Sequence, residues 1–543
     1  MCTVLRSRVP DLETTLCLIL MIVPVMGGAC RKARETPRDA GAPLVGGSSV
    51  MGPTGATGMD GPDGASPGAG RVDRSEAPDA APGERPPRAA GPRADLNGDG
   101  FDDLVVGAFA AREGDLRIVP PCDVPVGEDK GGVFVTFGSS TGVNTTPNVT
   151  LHDPTGHPES GFGSVVAVPG DLDGDGYSDL VVGATRGPRT PPEETHVYLY
   201  RGSPTGPPNG PTSELDLGGA ALGGRLGMLR IVGGDLNGDG IDDLVLIAHR
   251  GEGLAPPDQL VLVYLGASAG LGGPGFVVTV PADAKPSLVG TGLASGDLDD
   301  DGRTELLLGD PGSGAEAEGA VFVYGLRPPG TPTPLLTIAH PQHARRGCLG
   351  WRVDGGGDIN GDGWGDVATA ASCGMIERSG GSLFVFAGTP GGVAPAPLST
   401  AASPFADADT PFATVVAARG DLDGDGHADL VASGGRQGAE GETAPRVFVY
   451  YGGTGGIPAK PDIVLTDPRP SFPGAFGSDL RSTADFNADG REDLVVADNG
   501  YSCVQGAVYV YLGRTDRTPR PPDVVVESPM PGARIRFGCS LAP

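Results

Sequence analysis

Asp95-Leu-Asn-Gly-Asp-Gly-Phe-Asp-Asp-Leu-Val-Val-Gly107 puts oxygen side chains at its first, third, fifth and ninth positions, glycine at its sixth, and an apolar run after the last acid. The pattern restarts at Asp171, Asp235, Asp297, Asp358, Asp421 and Asp485, with successive starts 61 to 76 residues apart. Such regular spacing describes one structural unit copied seven times rather than several unrelated domains.

The loop has the composition of a calcium site. Ca²⁺ takes six to eight oxygens at ~2.3–2.6 Å in a tolerant geometry, which closely spaced carboxylates and a backbone carbonyl supply. Position 1 is Asp95, Asp171, Asp235, Asp297, Asp358, Asp421 or Asp485, and position 5 is Asp99, Asp175, Asp239, Asp301, Asp362, Asp425 or Asp489. Position 3 alternates between Asn97, Asn237, Asn360, Asn487 and Asp173, Asp299, Asp423, keeping the oxygen while varying the charge. Position 9 is Asp103, Asp179, Asp243, Glu305, Asp366, Asp429 or Asp493. Phe101, Tyr177, Ile241, Arg303, Trp364, His427 and Arg491 at position 7 share no chemistry, as expected if only their carbonyls coordinate. Up to seven structural calcium ions are expected. The sixth-position glycine permits the tight wrap.

An EF-hand would need a bidentate Glu at position 12 and a helix on each side. Position 12 here is Val106, Val182, Leu246, Leu308, Thr369, Ala432 or Val496, and the run Leu180-Val-Val-Gly183 reads as a buried strand. Nine residues before each loop from the second onward stands an apolar or aromatic residue, usually followed by a small one: Phe162-Gly163, Leu226-Gly227, Leu288-Val289, Leu349-Gly350, Phe412-Ala413 and Phe476-Gly477. About thirty residues after the loop start comes an alternating run such as Val197-Tyr-Leu-Tyr200 or Val508-Tyr-Val-Tyr511. Its period of two predicts a half-buried strand. Three strands with room for a fourth, in a unit of ~60 residues, suit a propeller blade.

This order of strand, Asp loop and strands resembles the FG-GAP repeats of the integrin α-subunit head, which implies an all-β, seven-bladed propeller. Leu226 and Leu288-Val289 depart from the Phe-Gly pattern. The resemblance also implies calcium in a subset of blades, whereas all seven loops here keep their ligands; a shared partner does not follow from a shared fold. The first loop has no Phe-Gly strand before it, while Arg536-Phe-Gly-Cys-Ser-Leu541 has no loop after it. The C-terminal strand is therefore expected to complete the first blade and close the ring, removing an exposed edge.

Residues 1–29 read as a signal peptide, because Leu16 to Met26 is apolar, follows Arg6 and Arg8, and is too short to span a bilayer. Gly27-Gly-Ala-Cys30 resembles a lipoprotein cleavage box, so Cys30 is the expected lipidated N-terminus. An exported protein anchored at an outer membrane or cell surface is expected, or otherwise a secreted one. Residues 30–93 form a Pro/Gly-rich linker with too few large apolar residues for a core. Five Gly triplets between Gly52 and Gly64 are read as a spacer. The propeller is assigned to residues 94–543.

The formal charge of -29 argues against nucleic-acid binding, and 24 carboxylates sit at the four side-chain ligand positions. Cys348 and Cys373 share a blade and are expected to pair in an oxidising exterior; Cys539 is expected to lock the closing strand to Cys122 or Cys503. Gly138-Ser-Ser-Thr-Gly142 matches a hydrolase nucleophile elbow but is a turn recurring after the aromatic strand, as at Gly202-Ser-Pro-Thr-Gly206. Arg419-Gly-Asp421 spells an attachment tripeptide, yet Asp421 is a loop ligand. Trp351 and Trp364 flank the fifth loop, as core or as a sugar-stacking platform. The insertion between Gly107 and Gly131 is the place to look for specificity. The expected function is a monomeric calcium-binding cell-surface binding or adhesion module for an extracellular protein or glycan, with the lipid as its only membrane attachment. The alternatives are a propeller-fold hydrolase or lyase with a central-channel site, and a scaffold lipoprotein without a small ligand.

Overall fold

The computed structural model describes residues 94–109, 131–156, 161–185, 195–217, 226–250, 258–273, 275–278, 292–327, 331–372, 380–407, 409–437, 439, 441–469, 474–500, 505–530 and 535–542. The signal segment, Cys30, the linker and its Gly triplets, Leu288-Val289, Cys122, Cys373, Cys503 and most of the insertion after Gly107 lie outside them.

Seven four-stranded antiparallel sheets are built to one plan. In blade 2 the inner strand Phe162–Gly170 is joined through the Asp loop to Asp179–Thr185, then come Thr195–Tyr200 and the short outer strand Ser213–Glu214. The inner strands of blades 1 to 7 are Ser540–Ala542, Phe162–Gly170, Leu226–Gly234, Gly292–Gly296, Leu349–Gly357, Phe412–Ala417 and Phe476–Ala484. Each touches the next, and the seventh touches the first. The molecule is a seven-bladed propeller.

Ring closure follows the sequence expectation. Val105, Val106 and Gly107 pair with Ala542, Leu541 and Ser540. The Ser540 hydroxyl accepts the Val166 N–H at 3.0 Å, and Asp479 Oδ2 accepts the Leu541 N–H at 3.0 Å. The closing strand is thus tied sideways to blades 2 and 7 as well as to its own blade.

The aromatic strand corrects one expectation. It is buried on both faces rather than half-buried, because its alternation sorts side chains between two seams. Tyr198 and Tyr200 pack with Val105, Val133 and Leu151 of blade 1, whereas Val197 and Leu199 pack with Leu244, Leu246 and Leu262 of blade 3. Close approach of neighbouring blades explains glycines on facing strands: a Cβ on Gly107 would lie 2.3 Å from the Gly163 carbonyl oxygen, and one on Gly309 2.0 Å from that of Gly350.

Cys348 is disulfide-bonded, and its expected partner lies outside the described residues. Cys539 forms no disulfide, contrary to expectation. Its thiol is turned into the seam between blades 1 and 2, 3.5 Å from the Gly107 carbonyl oxygen and 3.6 Å from that of Gly163. Trp351 is buried, which removes it from any exposed stacking platform.

Candidate metal centre

In blades 2 to 7 the Asp loop turns the chain from the inner to the second strand, and in blade 1 it leads into the second strand. In loop 2 the Asp171 carboxylate accepts the N–H groups of Gly174, Asp175 and Gly176 at 2.7, 3.2 and 2.7 Å. The Asp175 carboxylate accepts the Tyr177 N–H at 3.0 Å. Gly174 and Gly176 lie at φ +73° and +93°, where an L side chain is strained. Loops 4 and 7 carry Asp300 and Ala488 at the fourth position with φ 53° and 51°.

Position 9 does more than offer a ligand. One oxygen of Asp179 accepts the Leu172 N–H at 3.1 Å, and the other accepts the Gly202 N–H at 3.0 Å, bolting the loop to the end of the third strand. Asp103, Asp243, Asp366, Asp429 and Asp493 make the equivalent pair of bonds. Burial pushes Asp103, Glu305 and Asp429 up to about 8, and Asp179, Asp243, Asp366 and Asp493 up to about 7, against the lowering effect of those N–H donors.

The loops fall into two kinds. Ligand oxygens of Asp171, Asp173 and Asp179, of Asp297, Asp299 and Glu305, and of Asp421, Asp423 and Asp425 lie within 4.8 Å of one another. All three groups carry Asp at position 3. In the other four loops the amides of Asn97, Asn237, Asn360 and Asn487 donate to the position-5 carboxylates of Asp99, Asp239, Asp362 and Asp489 at 2.9 to 3.1 Å.

A cation fits the first kind. Asp173 is 6% exposed, and its Oδ1 is buried without a hydrogen bond while facing two further carboxylates, an arrangement that repels itself unless positive charge enters. Asp171, Asp173 and Asp179 would hold calcium, which would supply charge neutralisation and a cross-link between the loop's ends. Two arginines already contribute positive charge: Arg201 Nη1 lies 2.8 Å from Asp173 Oδ2, and Arg517 pairs with Asp423 and Asp425.

Two features of the loops escaped the sequence reading. Position-7 side chains have a packing role: a Cβ on Gly98 of blade 1 would lie 2.5 Å from the Tyr177 ring of blade 2, and one on Gly361 2.6 Å from His427 Nε2. Position 8 stitches the seams. The Asp242 and Glu492 carboxylates accept the N–H of Asp171 and Asp421 in the preceding blades at 3.0 and 2.8 Å, and Asp102 accepts that of Asp485 across the ring closure at 2.8 Å. Acids at three of seven position-8 sites were the available signal. Arg419 is likewise internal, bonded to Asp354, so Arg419-Gly-Asp421 is not presented as a linear peptide.

Residues 171–246 match the model of the FG-GAP-like repeat, and residues 476–511 that of the FG-GAP repeat. The chain carries FG-GAP repeats. It is similar to integrin alpha-5 of Xenopus laevis, 34% identical over 157 residues that cover 28% of this chain and 14% of the relative. Integrin alpha-IIb of Mus musculus is 38% identical over 177 residues, 31% of this chain and 16% of the relative. Integrin alpha pat-2 of Caenorhabditis briggsae is 28% identical over 221 residues, 37% and 17%. The matches thus span 14 to 17% of these relatives' length. A solved structure described as an eukaryotic initiation factor aligns over 50% of this chain and 60% of its own, with 12% identity and a TM-score of 0.23, too slight a likeness to carry an argument. The FG-GAP repeat chain therefore resembles the integrin α propeller in repeat and fold.

Proposed function

We propose that this FG-GAP propeller is an exported, calcium-stiffened binding module that presents its inter-strand loops to an extracellular protein or glycan. The convergence of three carboxylates in each of loops 2, 4 and 6 carries this reading. Calcium would fix loops that already bond to the third strand and to the neighbouring blade, making the disc rigid. Integrin α-subunits as relatives favour a binding role over an enzymatic one. The Asn loops extend the proposed count to seven ions, and Cys30 would tether the monomer to a membrane by lipid alone.

The test is thermal unfolding of residues 94–543 with calcium and with a chelator, alongside a metal count. Three to seven ions per chain and a clear calcium-dependent rise in melting temperature are expected, followed by calcium-dependent retention on a protein or glycan array. No bound calcium, or no shift on chelation, would overturn the reading.

A further inference from the structure

Blades 1, 2, 3, 5 and 6 leave their third strand through the same turn. It covers residues 138–142, 202–206, 266–270, 388–392 and 452–456, and its fifth residue is each time a glycine at φ +78° to +110°. In blade 7 the turn reads Gly513-Arg-Thr-Asp-Arg517, so its fifth residue is Arg517, at φ +43°. An L side chain is strained in that region and persists there only when contacts outside the turn hold it.

The fifth turn residue meets the blade before it. A Cβ on Gly142 would lie 3.3 Å from Leu512, one on Gly206 2.4 Å from Phe137, and one on Gly270 2.6 Å from Arg201 Nη2. Leu512, Phe137 and Arg201 each stand just before the first glycine of their own blade's turn. Arg517 keeps this pattern, with its guanidinium 4.5 Å over the ring of Tyr451, the residue before Gly452. From there it reaches further. Its Nε pairs with Asp423, and its Nη2 lies 2.5 Å from Asp425 Oδ2. These are the third- and fifth-position ligands of loop 6, and Asp423 is buried. Loop 2 shows the same chemistry from the opposite side of a seam: Arg201 of blade 2 pairs with Asp173 of its own blade, and the facing blade 3 turn keeps its glycine, Gly270.

We propose that Arg517 is a built-in competitor for calcium in loop 6: its guanidinium holds the third- and fifth-position carboxylates until calcium displaces it, and loading the loop frees the Arg517 side chain from blade 6. This inference rests on the calcium reading above. Calcium needs the oxygens that the guanidinium occupies, and a dication among them repels a cation held so close. The strained φ of Arg517 favours release once its ion pairs are lost. A latch closed in about nine-tenths of the molecules weakens the apparent calcium affinity about tenfold, so Arg517 sets the calcium concentration at which loop 6 fills.

The experiment titrates calcium by calorimetry into the full chain and into its Arg517→Gly variant, which installs the residue that the turns of blades 1, 2, 3, 5 and 6 already carry. One binding step should move to at least about tenfold lower calcium in the variant. Arg517→Lys, which keeps the charge but loses the fork, should fall between the two. In the parent chain, phenylglyoxal labelling of Arg517, followed by peptide mass spectrometry, should run several-fold faster with calcium than with a chelator. Calcium bound equally by the parent and by Arg517→Gly, or labelling that calcium leaves unchanged or slows, overturns the latch while the calcium reading stands. No calcium bound by either chain overturns both.

Discussion

Replacing Phe537 with Ala tests whether the closing strand bears load. Phe537 is 1% exposed, sits 5.6 Å from the Phe134 ring, and shares its cluster with Ile535, Leu541, Val106 and Val508. Truncation of a fully buried Phe costs about 3–5 kcal/mol in lost transfer energy and cavity. A cooperative unit of about 450 residues unfolds with an entropy near 0.9 kcal/mol/K, so the melting temperature should fall by about 3–5 °C. Deleting residues 535–543 removes Ile535, Phe537 and Leu541, each contributing about 1.5–3 kcal/mol, together with the strand pairing to Val105, Val106 and Gly107. That loss approaches the whole stability of an ordinary domain, ~5–15 kcal/mol, and it bares the edge of the Leu104–Ala108 strand. The deletion should therefore melt far lower and associate through that edge, read by calorimetry and by light scattering after size-exclusion. A Phe537→Ala chain melting within about 1 °C of the parent would refute the reasoning, since the ring would then close without this strand.

The position-9 acids predict a pH dependence whose sign depends on calcium. In the metal-free protein their folded values of about 7 to 8 stand above the ordinary 3.8 for Asp and 4.5 for Glu. Their contribution to stability is therefore full below about pH 4 and lost as pH rises toward 8. Calcium needs the ionised form, so its uptake at pH 6 to 7 should release protons, measured as a buffer-dependent binding enthalpy, and its affinity should rise with pH. Ala488→Gly relieves a φ of 51° and should stabilise by about 0.5–1 kcal/mol in a denaturant melt. Gly420→Ala would set a Cβ 1.6 Å from the Ser482 carbonyl oxygen, and a loss of about 1–3 kcal/mol or more is expected in the same melt.

Much of this molecule is local and hence legible in the sequence. The Asp loop, its sixth-position glycine and the apolar run after it are set by hydrogen bonds and φ values inside nine consecutive residues, which is why loop 2 and loop 6 could be read directly. Seven copies fixed the blade count, and an unpaired Phe-Gly segment at Phe537 fixed the closure. Tertiary structure alone decided which neighbour each residue meets. Tyr198 and Val197 alternate along one strand, but only the ring sends them into different seams. The Cys539 thiol faces backbone carbonyls because blade packing aims it there. Asp242 and Glu492 cap loops 71 residues away, in separate repeats. Local pattern determines a repeat because short-range bonds close within it; long-range charge and seam contacts depend on how seven copies are turned about one axis, which no single copy contains.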